Sequence, residues 1–363
     1  MLVTALEARP LRSLSKARIE LPPGILSLVG PNGVGKTNLL EALYFALTGR
    51  SFRTSDRRDL IPFGGSFARA EVTIRDADGI ERTLLASVSR ADGRRHLLDG
   101  SAADAATLAR SRPPVAVFSP DRLSLIKGPP SERRAHLDGF IAARWPSRSG
   151  LRQRFGQTLA QRNAMVARVA AGHSHASQLD TWDATFAEAA SELISARAVA
   201  VEELHGLFAE AASDLGLPDG GELEYVPRAA ASAEEIRAGL AERREADLRL
   251  GRTSWGPHLD ELKLSSGGRS LRRYGSQGQQ RAALLSLLFA EREALLTARQ
   301  VVPLLLLDDV MSELDPQRRV RLVERLDRGG QALISAAAED SLPVGTRDRV
   351  IHMPLSEAEA AAA

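Results

Sequence analysis

The stretch Gly30-Pro31-Asn32-Gly33-Val34-Gly35-Lys36-Thr37 decides the fold. It matches G-x-x-x-x-G-K-[ST], with an apolar run at residues 25–29 before it and an amphipathic run at residues 38–47 after it, which predict a strand and a helix. In that context, glycines let backbone N–H groups turn inward around phosphates. We expect Lys36 to reach the β- and γ-phosphates and the Thr37 hydroxyl to bind Mg²⁺. The whole stretch and the adjoining Asn38 are the predicted ATP contacts.

A P-loop also needs a carboxylate for its metal at the end of a neighbouring strand. The apolar run at residues 301–307 predicts a buried strand that ends in Asp308 and Asp309. Two like charges at a sheet end are costly without a cation. Asp308 is therefore the candidate Mg²⁺ ligand, and Asp309 is the candidate for orienting or activating water. Asp309 and Lys36 are the predicted catalytic residues.

Two shorter motifs accompany the acidic pair. One resembles the Ser-Gly-Gly-Gln signature of ABC-type ATPases and opens a predicted helix: Ser276, Gln277, Gly278 and Gln279. The other, residues 312–315, resembles the D-loop of that superfamily, with Ser312 and Asp315 as its candidate site residues. In that superfamily the signature serine of one subunit contacts the γ-phosphate held by the other. The resemblance therefore implies a homodimer that forms with ATP.

The order of predicted elements indicates an α/β protein, an ABC-type P-loop ATPase lobe of mixed sheets and helices with an inserted, mainly helical second lobe. We expect residues 1–143 and 246–355 to form the ATPase lobe, residues 144–245 the helical insertion, and residues 356–363 a frayed tail. Alternating runs at 67–74 and 81–88 flank Asp78-Gly79, which is a hairpin signal. A turn at Asp92-Gly93 extends this sheet.

Composition excludes several classes of protein. Cysteine is absent, so disulfides and thiolate metal sites are excluded. The seven histidines show no metal-ligand spacing. The sequence contains no run of roughly 18 apolar residues, the length that a helix needs to span a bilayer. The N-terminus lacks the apolar segment of a signal peptide. We expect a cytoplasmic protein with no membrane partner.

Longer blocks carry a more specific resemblance. The first two of these blocks cover the helix after the P-loop and the residues that follow it, and the others lie further along the chain. They are residues 38–45, 49–53, 118–121, 127–130, 133–138, 161–163, 256–258 and 260–262. The predicted insertion is much shorter than the coiled coils of SMC or Rad50 proteins. With these blocks the chain resembles the RecF family of bacterial recombination-mediator ATPases, from its N-terminus to about residue 340.

The resemblance implies a weak ATPase that uses ATP and Mg²⁺ and forms an ATP-dependent homodimer. It implies duplex and gapped DNA, RecR and RecO, and indirectly RecA, as partners in DNA replication, recombination, repair and the SOS response. It also implies that Arg12 packs on the adenine. Leu259 stands where the family usually has arginine. Slow hydrolysis is expected because residues 335–337 lack the histidine of transporter ATPases and because Asp309 replaces their usual glutamate.

A basic cluster follows the predicted P-loop helix: Arg50, Arg53, Arg57 and Arg58. Arginines at this density can neutralise DNA phosphates, and they are the candidate DNA contacts. The alternative is a solvated face balanced by Asp56 and Asp59. Because aromatic residues make up only 4% of the chain and are not interleaved with the arginines, backbone contacts are a better interpretation than base stacking.

Two functions from other classes remain as alternatives. A transporter-coupled ATPase is disfavoured by the long insertion and the missing histidine. An ATP-gated nuclease of the overcoming-lysogenisation type would need a metal-dependent nuclease domain, and we expect the residues after Asp309 to be too few for one.

Overall fold

A computed structural model describes residues 1–91 and 93–355. The predicted tail at 356–363 and Asp92 of the predicted turn lie outside this part of the chain. The described strands are β1 Leu2–Ala8, β2 Ala17–Glu20, β3 Gly24–Val29, β4 Phe67–Arg75, β5 Glu81–Ser89, β6 Gly93–Leu98, β7 Ser101–Ala102, β8 Val115–Phe118, β9 Glu222–Val226, β10 Glu261–Ser266, β11 Arg269–Ser270, β12 Leu304–Leu307, β13 Gln331–Ala336 and β14 Val350–His352.

The described α-helices are α1 Lys36–Thr48, α2 Ala105–Arg110, α3 Ser124–Lys127, α4 Pro130–Arg144, α5 Leu151–Ala170, α6 Leu179–Asp214, α7 Ala233–Glu242, α8 Arg244–Leu250, α9 Leu271–Tyr274, α10 Gln277–Arg299 and α11 Pro316–Leu326. The chain forms two compact units. Of the described residues, those within 1–123, 214–216 and 284–355 form the first unit, and those within 124–213 and 217–283 form the second. The predicted lobe boundaries at residues 144 and 245 differ from these limits and stay a prediction.

The first unit contains a five-stranded parallel sheet in the order β14-β3-β13-β12-β8. Its central strands β12 and β13 are fully buried, as expected of a parallel sheet covered on both faces. Strand β12 begins at Leu304 and not at Val301 as predicted, because Pro303 has no N–H to donate to a ladder. The carboxyl ends of parallel strands share one edge, so β3, β12 and β13 deliver the residues that follow them to the same place.

The same unit contains a six-stranded antiparallel sheet in the order β2-β1-β4-β5-β6-β7. The predicted hairpin at Asp78-Gly79 joins β4 to β5, with Arg75 paired to Glu81. Helix α1 packs on this sheet through fully buried Leu39, Leu40 and Leu43. Nine of the 13 residues of α1 are buried, so the helix is covered on more than the single face that the predicted amphipathic pattern implies.

Gln331 connects the two sheets. Its side chain accepts a hydrogen bond from the Val3 N–H (2.8 Å) and donates one to the Val3 carbonyl (2.7 Å). Gln331 lies on β13 and Val3 on β1, so one buried amide satisfies backbone groups of the antiparallel sheet that would otherwise be unpaired.

The second unit combines α3 to α5, α7 to α9 and most of α6 with a three-stranded antiparallel sheet in the order β11-β10-β9. The predicted extra strand at residues 222–226 is confirmed as β9. The predicted α/β class, with mixed sheets and helices, is confirmed.

Buried ion pairs hold the helices of the second unit to its sheet. Arg197 on α6 makes a bidentate pair with Asp138 on α4 (2.8 and 3.0 Å) and also contacts Asp260 (2.9 Å). Asp260 in turn accepts hydrogen bonds from the Tyr225 hydroxyl and the Arg228 N–H. Since these carboxylates and Arg197 are almost fully buried, each charge depends on its partner.

We predict that Arg197→Met destabilises the protein by about 3–5 kcal/mol, because it leaves Asp138 and Asp260 buried without their cation. The measurement is the free energy of unfolding in urea. Lys263→Met is the matched control: it removes the cation of an exposed pair with Glu224, which is worth at most about 1 kcal/mol. Equal stability of the two variants would contradict the role given to the Arg197 network.

Candidate nucleotide-binding site

The P-loop joins β3 to α1 in a conformation that requires glycine. Gly33 and Gly35 have φ angles of 83° and 109°, which residues with a Cβ atom rarely adopt. Lys36 is buried (4% exposed), and its ammonium group donates hydrogen bonds to the carbonyls of Gly30 (2.7 Å) and Pro31 (3.2 Å). The lysine thus lies folded across the loop. Pro31, Asn32 and Gly33 are exposed at its outer side, where a phosphate chain would approach.

Thr37 and Asp308, 271 residues apart in the chain, are in direct contact. The Thr37 hydroxyl lies 2.9 Å from both carboxylate oxygens of Asp308. Ser335, on the intervening strand β13, donates a second hydrogen bond to Asp308 (2.8 Å) and accepts one from the Asp309 N–H (2.8 Å). Three strand ends therefore meet at one carboxylate.

The electrostatics of the acidic pair favour a cation. Burial raises the pKa of the Asp308 carboxyl, hydrogen bonds from Ser335 and Thr37 oppose this rise, and the neighbouring charge of Asp309 adds to it. Asp309 has left-handed backbone angles (φ 48°, ψ 26°), a conformation that non-glycine residues adopt rarely and often at functional sites. A cation would lower the cost of both charges.

The donor set fits Mg²⁺. This ion prefers oxygen ligands, keeps several waters and is usually bound by one or two protein groups together with substrate phosphates. Thr37 and Asp308 supply one hydroxyl and one carboxylate at the mouth of the P-loop. Within residues 1–91 and 93–355, no group of three or more His, Asp or Glu side chains is placed to hold a metal by itself.

Glu41, on α1, connects two segments next to the site. It is fully buried, and it accepts a bidentate pair from Arg12 (2.9 and 3.0 Å) and a hydrogen bond from the Ser51 hydroxyl. Arg12, predicted to pack on the adenine, is thus fixed by α1 with 23% of its side chain exposed. Its contact with adenine stays a prediction.

Arg53 also lies close to the nucleotide site. Its guanidinium is 3.5 Å from Glu41 and donates a hydrogen bond to Asn38 (3.1 Å), the residue after Thr37. It is close enough to Asp308 to lower that carboxyl's pKa slightly, after the larger effect of burial raises it. The structure therefore separates Arg53 from the other arginines of the predicted DNA cluster, and its DNA contact stays a prediction.

The signature residues lie in the second unit, at the N-terminus of α10. The Ser276 hydroxyl accepts a hydrogen bond from the Gln279 N–H (3.2 Å), and the Gln279 side chain accepts one from the Ser276 N–H (2.8 Å). This reciprocal arrangement is a capping box. Ser276 and Gln277 are exposed, and Gly278 is half-buried. A helix N-terminus with an exposed serine is suited to contact an anion.

The D-loop residues lie after Asp309. The Ser312 hydroxyl donates to the Asp309 carbonyl (2.8 Å), and Asp315 caps α11 by accepting from the Arg318 N–H (3.0 Å). Both side chains therefore have local structural roles, which neither supports nor excludes contact with a partner subunit.

Sequence reasoning missed two residues of this site. In the sequence, Ser335 was noted only because its segment lacks a histidine. Glu41 was noted only as one residue of a block that resembles the family. The available signal for Glu41 was a carboxylate in the otherwise apolar run Leu39-Leu40-Glu41-Ala42-Leu43. Ser335 had no local signal, since its role depends on which strand lies between β3 and β12.

The fold and the site define a P-loop ATPase of the ABC type. Residues 2–358 match the family model described as RecF/RecN/SMC N terminal domain. The chain is 36% identical to the DNA replication and repair protein RecF of Streptomyces avermitilis, covering 96% of this chain and 97% of that protein. It is 34% identical to the RecF of Myxococcus xanthus, covering 95% and 93%. The chain belongs to the RecF family.

Solved structures agree with this assignment. The recombination mediator protein RecF of the RecFOR pathway, solved with ATP, matches with a TM-score of 0.85 and 26% identity over 94% of this chain and 93% of that one. An SMC head bound to the C-winged helix domain of ScpA matches with a TM-score of 0.57 and 19% identity over 97% and 94%, which shows the fold alone. In the described residues, no helix has both the length and the apolar character of a membrane span.

We predict that Asp308→Asn stabilises the nucleotide-free protein and removes its response to Mg²⁺-ATP. A raised carboxyl pKa means that the native state binds the proton more tightly than the unfolded chain. Asp308 therefore lowers stability above its native pKa, and this penalty fades as the pH falls through that pKa. The measurement is thermal unfolding at neutral pH with and without Mg²⁺-ATP.

The wild type should gain about 2.7 kcal/mol at a ligand concentration 100 times Kd, and the variant little or none. Ser341→Ala is the control, since it removes a hydroxyl that, among the described residues, bonds only to the Ala338 carbonyl and lies outside the predicted site residues. A nucleotide-free Asp308→Asn protein that is less stable than wild type at neutral pH would contradict the cost assigned to this carboxylate.

Proposed function

We propose that this chain is an ATP-dependent DNA-binding protein of recombinational repair. ATP-driven dimerisation and slow hydrolysis would control its binding to duplex and gapped DNA and, with RecO and RecR, the loading of RecA at single-strand gaps. The observation that carries the proposal is the contact of Thr37 with Asp308 at the mouth of a P-loop, in a chain of the RecF family. The relatives' names as DNA replication and repair proteins support it. Cytoplasmic location is part of the proposal.

The residues of the site have distinct proposed roles in hydrolysis. Gly30 to Thr37 and Asn38 would hold the phosphates through backbone N–H groups, with Lys36 turning from its carbonyl partners to the β- and γ-phosphates. Thr37 and Asp308 would hold Mg²⁺, which would offset the charge of the phosphates. Asp309 would orient the attacking water. Its backbone N–H donates a hydrogen bond to the Ser335 hydroxyl, which fixes the backbone from which this carboxylate extends.

Hydrolysis should be slow for a structural reason. Ser335 uses its hydroxyl to hold Asp308 and the Asp309 N–H, and the next residues along β13 are alanines. The described neighbours of Asp309 on β13 thus offer no imidazole to the γ-phosphate. A slow ATPase suits a clamp or timer, in which the bound state must persist.

Dimerisation would place the signature of one subunit on the nucleotide of the other. Ser276, Gln277, Gly278 and Gln279 open α10, where Ser276 and Gln277 are exposed and the positive end of the helix favours an anion. Ser312 and Asp315 would lie at the same interface.

We predict that Ser276→Arg leaves nucleotide binding intact and blocks ATP-dependent dimerisation. The bulky cation would occupy the place of the γ-phosphate contact. Ser276→Asp is a second variant that keeps the helix cap and repels the phosphate instead, and Ser149→Arg is a matched control at an exposed position. The measurement is the solution mass with and without Mg²⁺-ATP, together with nucleotide binding. A wild-type mass that does not change with ATP would contradict the proposed dimer.

We also predict a turnover below about 1 s⁻¹ without partners, at or under the lower end of the usual range for enzymes. Phosphate release measures it, and Lys36→Ala should abolish it. A wild-type rate of several per second would overturn the proposed clamp.

A further inference from the structure

The C-terminal end of α1 is packed against β6. The His96 ring nitrogen Nε2 lies 3.0 Å from the Ala46 carbonyl, and a Cβ added at Gly49 would lie 3.0 Å from His96 Nδ1. Arg50 follows this junction directly. Arg94 lies two residues before His96 on β6 and so projects from the same face of the sheet.

A third arginine joins this junction from another segment. Arg57 begins the 3₁₀ turn Arg57–Leu60. Burial, and then repulsion from Arg94 and Arg50, lower the pKa of the Arg57 guanidinium. Arg57 also contributes, after burial, to the lowered pKa of His96. We call Arg50, Arg57 and Arg94 the α1-end cluster, since three separate segments bring their charges together here.

The two carboxylates nearest in sequence to Arg57 make local hydrogen bonds to uncharged donors. Asp56 accepts a hydrogen bond from the Arg58 N–H (2.9 Å), and Asp59 accepts one from the Thr54 hydroxyl (2.5 Å). Among the ion pairs of residues 1–91 and 93–355, none involves a member of the α1-end cluster. Arg53, in contrast, is paired with Glu41. Within the described residues, Asp56 and Asp59 thus form no ion pair with Arg50 or Arg57, and the interpretation of a solvated, balanced face stays a prediction.

We infer that Arg50, Arg57 and Arg94 form a binding site for the phosphate backbone of duplex DNA. This inference rests on the proposed function and assigns its DNA contact to a surface that includes β6. Clustered guanidinium groups repel each other, and an anion removes that cost. Phosphate matches the planar fork of arginine. Contacts to phosphate alone position a duplex without reading its sequence.

The position of the cluster connects it to the nucleotide site. Helix α1 begins at Lys36 and ends at Thr48, so its 13 residues separate the P-loop from Arg50 by about 20 Å. The two ligands would thus bind at opposite ends of one helix.

The test is the affinity of Arg57→Gln/Arg94→Gln for a fluorescent duplex as a function of salt, with Mg²⁺-ATP present. Losing two phosphate contacts should weaken binding by roughly 10- to 100-fold near 0.1 M salt. It should also reduce the slope of log K against log salt by about 2. Arg75→Gln/Arg82→Gln is the matched control, because it removes two arginines from the other end of the same sheet, each paired with a carboxylate. The control should stay within about twofold of wild type.

The outcomes separate this inference from the function on which it rests. If wild type fails to bind duplex with ATP, the proposed function is wrong. If wild type binds and Arg57→Gln/Arg94→Gln matches the control in affinity and slope, the function stands and the α1-end cluster is not its DNA site. The ATP-dependent mass should be unchanged in both variants. If the double variant fails to fold, Arg94→Gln alone decides, with an expected slope change of about 1.

Discussion

The contact of Thr37 with Asp308 depends on the order of strands in the parallel sheet. Thr37 follows β3 and Asp308 follows β12, and β13 lies between these two strands. Ser335, from that middle strand, completes the contact by bonding to Asp308. The sheet must therefore assemble from the N-terminal and the C-terminal segments of the first unit before the site exists. Nucleotide binding and folding of this sheet are linked, because no subset of the three strands supplies the full set of oxygen atoms.

The same contact carries an energetic cost. Asp308 is almost fully buried beside a second carboxylate, and its pKa is raised by that burial. A protein that needed only stability would place an amide or an apolar side chain at this strand end. Retention of a destabilised charge is typical of sites whose function requires it, and the left-handed backbone of Asp309 adds strain at the neighbouring residue.

Local signals predicted the elements that carry the chemistry, and tertiary contacts decided the rest. The P-loop was predictable because its strand, glycines and helix are contiguous, and β12 because its apolar run ends in aspartates. Arg50, Arg53 and Arg57 look equivalent in sequence. The structure separates them, because Glu41 is buried on α1 where it reaches Arg53 and not the other two. The spacing of the arginines cannot predict this difference, because the partner of Arg53 is a carboxylate on helix α1.

Helix α1 connects these features mechanically. Its first residues are Lys36 and Thr37, its middle carries Glu41, and its last turn bonds to β6 through His96. Glu41 forms ion pairs with Arg12, in the loop after β1, and with Arg53, in the loop after α1, and these pairs hold both loops against the helix. Releasing either loop would weaken the pairing of a buried carboxylate, which is expensive. Helix α1 thus carries the P-loop lysine, the carboxylate that pairs with both loops and the contact with β6 on one continuous element.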